Sequence, residues 1–245
     1  MGLAQLPAPL VQAPPTTKVE SPPTSTQSPA LAPPIAIGQW DIDSPVTDMP
    51  RVIELDLAKS GPSERVWNYL VEQHHYLGHK VVVGRCLKYL VRSGSRLLGA
   101  IAFSSPAWQV KPRDLVLQEL GFTTETIHER VLNNSRFLIL PGIRVDHLAS
   151  RVLALATKRV VEDWRWYYSV DPLVAETFVQ PSKFDGTCYR AANWIEVGRT
   201  KGYAKVGPTH HNSQEPKQLF LYGLNRVMRA KLLAHTLDPD PADGS

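Results

Sequence analysis

Glu176 is the one acid in an otherwise apolar run, Leu173-Val174-Ala175-Glu176-Thr177-Phe178-Val179. Two-residue alternation groups it with Val174 and Phe178 on one face of a strand. Burial disfavours a charged carboxylate and raises its pKa toward the range of a general base. The competing reading is a carboxylate paired with an arginine such as Arg136. Asn133, Asn134 and Arg136 stand just before the apolar run Phe137–Leu140. They read as loop residues, serving either as loop caps or as contacts to a substrate or phosphate. A further set, Tyr189, Arg190 and Asn193, falls within GTCYRAANW at residues 186–194. Gly186 suits the turn that opens it. Tyr189 also reads as a core aromatic with a satisfied hydroxyl, and Asn193 as a helix C-cap that tolerates the left-handed conformation.

Metal and thiol chemistry find little support. His75 and His79 have i, i+4 spacing, but Gly78 interrupts any helix between them, and no nearby His or Glu completes a zinc motif. No metal site is expected. Cys188 lies among apolar residues and reads as an inert buried thiol. Basic residues interleaved with aromatics carry more weight. Trp164-Arg165-Trp166-Tyr167-Tyr168 offers stacking faces beside a guanidinium, and Arg199, Lys201 and Lys205 follow further along. Stacking plus phosphate neutralisation is how sequence-tolerant nucleic-acid binding works. The alternative is a solvated surface with Trp164 and Tyr167 packed inward.

These groups need elements to position them. Apolar periodicity predicts a helix from Ser63 to about His75, and Ser93-Gly94-Ser95 joins two β-like runs, Cys86–Arg92 and Arg96–Phe103, as a hairpin. Residues 113–131 read as mostly helical, and Phe137–Leu140 as a buried strand ended by Pro141-Gly142. Asp146 is placed to cap a long helix to about Trp164, with Leu148, Val152, Leu155 and Ala156 at helical spacing. A strand Leu173–Val179, a short helix Thr187–Ala192, strands Ile195–Arg199 and Gln218–Tyr222, and a helix Leu224–His235 complete the order. That order is one α/β domain with a mixed sheet.

The 245 residues divide unevenly. Eleven of the 21 prolines lie in residues 1–50, a stretch expected as a Pro-rich disordered leader, and residues 237–245 as an acidic disordered tail. The folded domain is expected over residues 51–236, which hold 26 Lys and Arg against 16 Asp and Glu, a net +10. The average of +4 for the whole chain hides this, and the basic core points to a polyanionic partner. Two cysteines exclude a disulfide scaffold and an iron–sulfur cluster. No apolar run is long enough for a membrane helix and the start is no secretory signal, so no membrane partner and a reducing cytoplasm are expected.

The motifs HHYLG at His74–Gly78, Arg113-Asp114, NNSRFLILPGIRVDHLASRVL from Asn133, DW at Asp163-Trp164, ETFV at Glu176–Val179 and FDGTCYRAANWIEVGRT from Phe184 occur in that order. This series closely resembles the Druantia anti-phage DruA family, which is also associated with transposable elements. The chain departs from that pattern at Leu120-Gly121-Phe122 and at Lys201-Gly202-Tyr203-Ala204-Lys205. More widely, a strand ending at Pro-Gly, a long helix, a strand and then G-T-x-Y-x-A-x-N resembles the GNAT-like acyltransferase fold, its Mom branch in particular.

The resemblance implies a role for His75 and Tyr76, within the HYLG motif, in contacting substrate, together with Asn133, Asn134, Arg136, Arg144, Arg190 and Asn193. It implies that Tyr189 protonates a leaving group, with Glu176 as its catalytic counterpart. The GNAT comparison also implies acyl-coenzyme A, held by helix amides. Ile143–Ala149 lacks the glycines of that loop and carries Asp146, which disfavours it. Three functions follow. The first is a component of anti-phage defence or a mobile element acting on or beside nucleic acid, with other defence or transposition proteins as partners. The second is a transferase adding a small acyl-type group to a nucleobase or amine. The third is a non-catalytic scaffold with a degenerate acyltransferase fold.

Overall fold

The structure is a computed structural model that describes residues 33–80, 82, 84–206, 209–212 and 215–237. A 3-10 helix, Ile35–Gln39, leads into β1 (Glu54–Leu57), α1 (Gly61–His74), β2 (Cys86–Ser93), β3 (Arg96–Ser104), α2 (Lys111–Glu119), α3 (Thr124–Arg130) and β4 (Val131–Ile139). Then come α4 (Leu148–Tyr168), β5 (Val174–Val179), α5 (Thr187–Ala191), β6 (Ile195–Arg199), β7 (Tyr203–Val206), β8 (Thr209–Asn212), β9 (Gln218–Gly223) and α6 (Arg226–Leu237). Seven strands form one mixed sheet in the order β1-β2-β3-β4-β5-β9-β6, while β7 and β8 pair as a separate hairpin. Every pairing is antiparallel except β4 with β5. A parallel pair needs a long crossover, and α4 with its 21 residues supplies it.

Strand alternation sorts the core. Leu87, Tyr89, Val91, Ile101 and Phe103 pack on one face with Leu148, Val152, Ala156, Val160 and Trp164 of α4. Their neighbours Leu90, Ala100 and Ala102 pack on the opposite face with Val66, Trp67, Leu70 and Val71 of α1. A further cluster joins α2, α3 and α6 to the β5–β9 end of the sheet through Leu117, Ile127, Val174, Leu221 and Leu232. β3 is buried along its whole length. It comes so close to β4 that a Cβ added to Gly99 would lie 2.1 Å from the Leu138 carbonyl oxygen.

Four expectations change. Residues 33–50, assigned by composition to the leader, run along the domain. Asp41 and Val46 bridge Arg96 and Ile143, and Trp40 and Ile42 pack on the α1 cluster. Six of the eleven leader prolines fall before residue 28, and the apolar residues that follow find a surface to bury against. Asp146 does not cap α4: the N-cap is His147, left-handed at φ 62° and without a side-chain bond. β4 begins at Val131, so Asn133, Asn134 and Arg136 are strand residues and not loop residues. Helix α4 runs on to Tyr168, which makes Trp164–Tyr168 helical. β1 and the β7–β8 hairpin were not anticipated, because each is only four residues long.

The close approach at Gly99 yields a stability prediction. Gly99→Ala drives a methyl into a main-chain oxygen that only strand separation can relieve, and the expected loss is about 2–3 kcal/mol. Urea denaturation followed by circular dichroism measures it.

Candidate functional site

β4 and β5 pair only at Val131–Val174, Leu132–Ala175 and Asn133–Glu176, and then diverge. β4 also carries a bulge. Its pairing with β3 goes from Phe103–Asn134 to Ala102–Arg136, which leaves Ser135 without an opposite residue. A bulge bends its strand and strengthens the local twist. The fork opens a cleft of about 380 Å³ between Asn134–Ile139 on one side and Thr177–Val179 on the other. His75, Tyr76 and Phe184 line it together with Tyr189 and Cys188.

Tyr189 is buried, and its hydroxyl donates to Asn134 Oδ1 at 2.8 Å. Thr177 Oγ1 lies 3.3 Å from the same hydroxyl. Asn134 Nδ2 donates to the Ala102 and Arg136 carbonyls at 3.0 and 3.3 Å, which fixes the amide so that its oxygen faces the phenol. Phe220 stacks on the Tyr189 ring at 5.8 Å, and Trp194 meets it edge-on at 5.2 Å. Burial pushes the phenol above its ordinary range, so it stays protonated. Such a group is a better fixed hydrogen-bond donor than an acid. Ser135 Oγ is buried with no partner among the described residues.

His75 and Tyr76 stack at 4.9 Å, and Tyr76 meets the half-exposed Phe184 at 5.3 Å. Burial pushes His75 down to about 4, and the nearby Arg136 guanidinium acts in the same direction. Arg136 donates through Nε to the Gly78 carbonyl at 3.2 Å and through Nη1 to the Ser135 carbonyl at 2.6 Å. Burial lowers its pKa too. It thus ties the His75–Gly78 turn to the bulge of β4.

The family model described as Druantia protein DruA matches residues 25–214. This chain belongs to the DruA family. The matched span covers the folded strands up to β8 and includes every cleft residue named above. Comparison with curated proteins gives no match. Among solved structures, the DruA-family chain is similar to an N-acetyltransferase from Staphylococcus aureus Mu50, at 11% identity and a TM-score of 0.43 over 71% of this chain and 98% of that one. It is similar to a polyamine N-acetyltransferase from Drosophila melanogaster, at 11% identity and a TM-score of 0.43 over 70% and 99%. An N-acyl amino acid synthase from uncultured soil microbes shares 12% identity at a TM-score of 0.45 over 77% and 99%.

The other sequence-predicted residues sort differently. Glu176 does not line this cleft, and it is completely buried. Its Oε2 takes Arg113 Nη1 at 2.8 Å, and its Oε1 accepts from the Ala107 amide at 2.9 Å. Arg113, also fully buried, donates in addition to Asp114 and to the Ala107 carbonyl at 2.8 Å each. Burial pushes the Glu176 carboxyl up while Arg113 pulls against it. The expectation of a general base is therefore corrected: with both oxygens engaged and no access, Glu176 holds structure. Its partner is Arg113 and not Arg136. The Arg113-Asp114 dipeptide was the sequence signal for that pairing.

Asn133 faces Glu176 across the last paired rung, with a buried Oδ1 that has no partner among the described residues. Arg190 is outside the cleft, bound to Glu196 at 2.5 Å and to the Asp185 carbonyl. Asn193 is exposed and left-handed at φ 61°, just past the end of α5, which is the capping reading. Arg144 is exposed on the turn before α4. Trp164 is a correction: it is 1% exposed and part of the core, whereas Trp166 is 82% exposed. Arg165 pairs with Asp171 at the surface. Arg199 and Lys201 are exposed, and Lys205 lies in β7, where side chains fall outside the described residues.

The start of α4 does not fit the diphosphate of coenzyme A. No glycine lies between Ile143 and Ala149, and the exposed Asp146 carboxylate precedes the left-handed His147 at the helix start. Among the described residues no group of three or more His, Cys, Asp or Glu is placed to hold a metal ion, and no helix is long and apolar enough to cross a membrane. Burial raises the Cys188 thiol, so it stays protonated in the cleft.

Two predictions follow from this geometry. Glu176→Ala strands a buried guanidinium and lowers the unfolding free energy by about 3–5 kcal/mol in urea, with Glu176→Gln intermediate. The His75 imidazole, neutral in the fold, titrates by NMR with a midpoint of about 4, and Arg136→Gln raises that midpoint. Because the unfolded chain binds this proton more readily, the His75 contribution to stability is present above the ordinary pKa of 6.5 and is lost as pH falls toward 4.

Proposed function

We propose that the chain is a component of a Druantia-type anti-phage system, or of a related mobile element, and that it acts on nucleic acid. The charge carries this reading. Residues 51–236 carry a net +10, and the fold they form holds a cleft with aromatic walls. Membership of the DruA family supports the defence setting, with other proteins of the system as partners. Neutralising phosphates releases counterions, so affinity must fall steeply as salt rises.

The test is binding of DNA and RNA across a salt series. The expected outcome is micromolar or tighter affinity at low salt, with log affinity falling linearly in log salt. Absence of binding at low salt, or indifference to salt, overturns the reading.

A second reading is transfer of a small group to a nucleobase or amine, favoured by one observation. The Tyr189 hydroxyl, with Asn134 and Thr177, forms a fixed polar set in an otherwise apolar cleft. Pockets that combine apolar walls with a few convergent polar groups orient their ligands. The donor would have to be held in some way other than by amides at the start of α4. Mass spectrometry of nucleosides from expressing cells is then expected to reveal an adduct that Tyr189→Phe loses. An unchanged profile in the wild type leaves binding without transfer.

A further inference from the structure

Phe178 is a wall of the cleft at the fork and also of a second cleft of about 400 Å³, so the two meet at one side chain. The second cleft is strongly cationic, with Lys111, Lys201 and Lys217 among its lining residues against the single acid Glu215. Glu215 is already engaged, since its oxygens accept from the Ser182 amide at 2.9 Å and the Ser182 hydroxyl at 2.5 Å. Arg136 borders the first cleft between the lining residues Ser135 and Phe137, and among the described residues it donates only to main-chain carbonyls. Among the described residues, no carboxylate lies within 4.0 Å of Lys80, Lys111, Arg136, Lys201 or Lys217.

Like charges normally avoid one another unless carboxylates or water separate them. Here Arg136 and Lys217 are both partly buried, and Lys217 feels the charges of Lys80 and Arg136. Burial and those two neighbours together hold the Lys217 ammonium below its ordinary range. A solvated basic face would not show this. An anion lying along the groove would relieve it.

The first cleft adds the other half of the recognition. The stacked His75–Tyr76 pair and the half-exposed Phe184 offer ring faces at the mouth, with Lys183 Nζ 4.9 Å from the Tyr76 ring centre. A cleft of about 380 Å³ admits one unstacked base and its sugar but not a base pair in a duplex.

We propose that the two clefts on either side of Phe178 form one groove for single-stranded nucleic acid, with phosphates on Arg136, Lys217 and Lys201 and a base entering against Tyr76 and Phe184. This rests on the nucleic-acid reading above and narrows it to unpaired strands. Phosphate contacts set affinity and salt dependence, while ring stacking tolerates any base.

The experiment is fluorescence anisotropy of the full chain with a labelled oligothymidine, an oligouridine of equal length and a blunt DNA duplex, each over a salt series. The single strands are expected to bind at least about tenfold more tightly than the duplex. Binding of either strand supports the groove, and their ratio says whether DNA or RNA is the better ligand. Lys201→Ala with Lys217→Ala is expected to lower affinity about tenfold and the salt slope by about two. Tyr76→Ala is expected to lower affinity about tenfold with an unchanged slope. Urea midpoints confirm that the variants fold, and Lys217→Gln replaces Lys217→Ala in a variant that does not. Duplex bound as tightly as single strand, or a slope unmoved by the lysine changes, overturns the groove and leaves the general reading standing. Loss of salt-dependent binding to all three probes overturns the general reading itself.

Discussion

The Arg113–Glu176 ion pair sits where β4 and β5 stop pairing, and the rest of the molecule is arranged around that point. A carboxylate and a guanidinium, both without solvent access, lose their hydration and need hydrogen-bond partners in its place. Ala107, through its amide and its carbonyl, and Asp114 supply them, with Arg113 Nη2 held beside Asp114 at 2.7 Å but without a hydrogen bond. In doing so they draw the segment before α2 across β5 and close one end of the fork. Beyond the last rung only the Thr177 hydroxyl, donating to the Asn134 carbonyl at 3.2 Å, and the Tyr189 hydroxyl link the two strands, and past them the cleft opens. The pair is thus a boundary: a tied strand pair on one side and an open cleft on the other.

That boundary separates the residues sealed in the ion pair from those that line the cleft. Glu176 and Phe178 are on one face of β5, yet the first is sealed by Arg113 and the second divides two clefts. Thr177, between them, points to the other face and meets Tyr189. A single strand therefore supplies a buried charge, a groove wall and part of a polar network at successive positions.

Much of this was legible in the sequence, and the failures have physical causes. The helix–hairpin–strand–helix order followed from apolar periodicity, and GTCYRAANW marked the helix that presents Tyr189. For Trp164 the neighbours Arg165 and Trp166 point to a stacking surface, and the helix period overrides them. Continuing the α4 period from Val160 by four residues places Trp164 on the buried face and Trp166 away from it. Glu176 was correctly placed on a buried face, but the chemistry of a buried acid depends on its partner, and Arg113 lies 63 residues away. Lys80, Arg136 and Lys217 are scattered over the chain, and no local pattern shows that folding gathers them. Short strands such as β1 lacked enough residues to establish a period.

The bulge at Ser135 has the force of a change of reading frame. Leu132 and Asn134 face α4 and α5, and strict alternation would send Arg136 there too, into an apolar core. One unpaired residue reverses the order, so Arg136 faces α1 and Gly78 while Phe137 and Ile139 rejoin the α4 side. A single strand thus spells two different messages, one for each surface of the sheet, and the switch between them falls at the mouth of the fork. Were Ser135 instead paired in regular alternation, the two addresses would be exchanged, with the guanidinium delivered to the tyrosine and the phenylalanine to the α1 side.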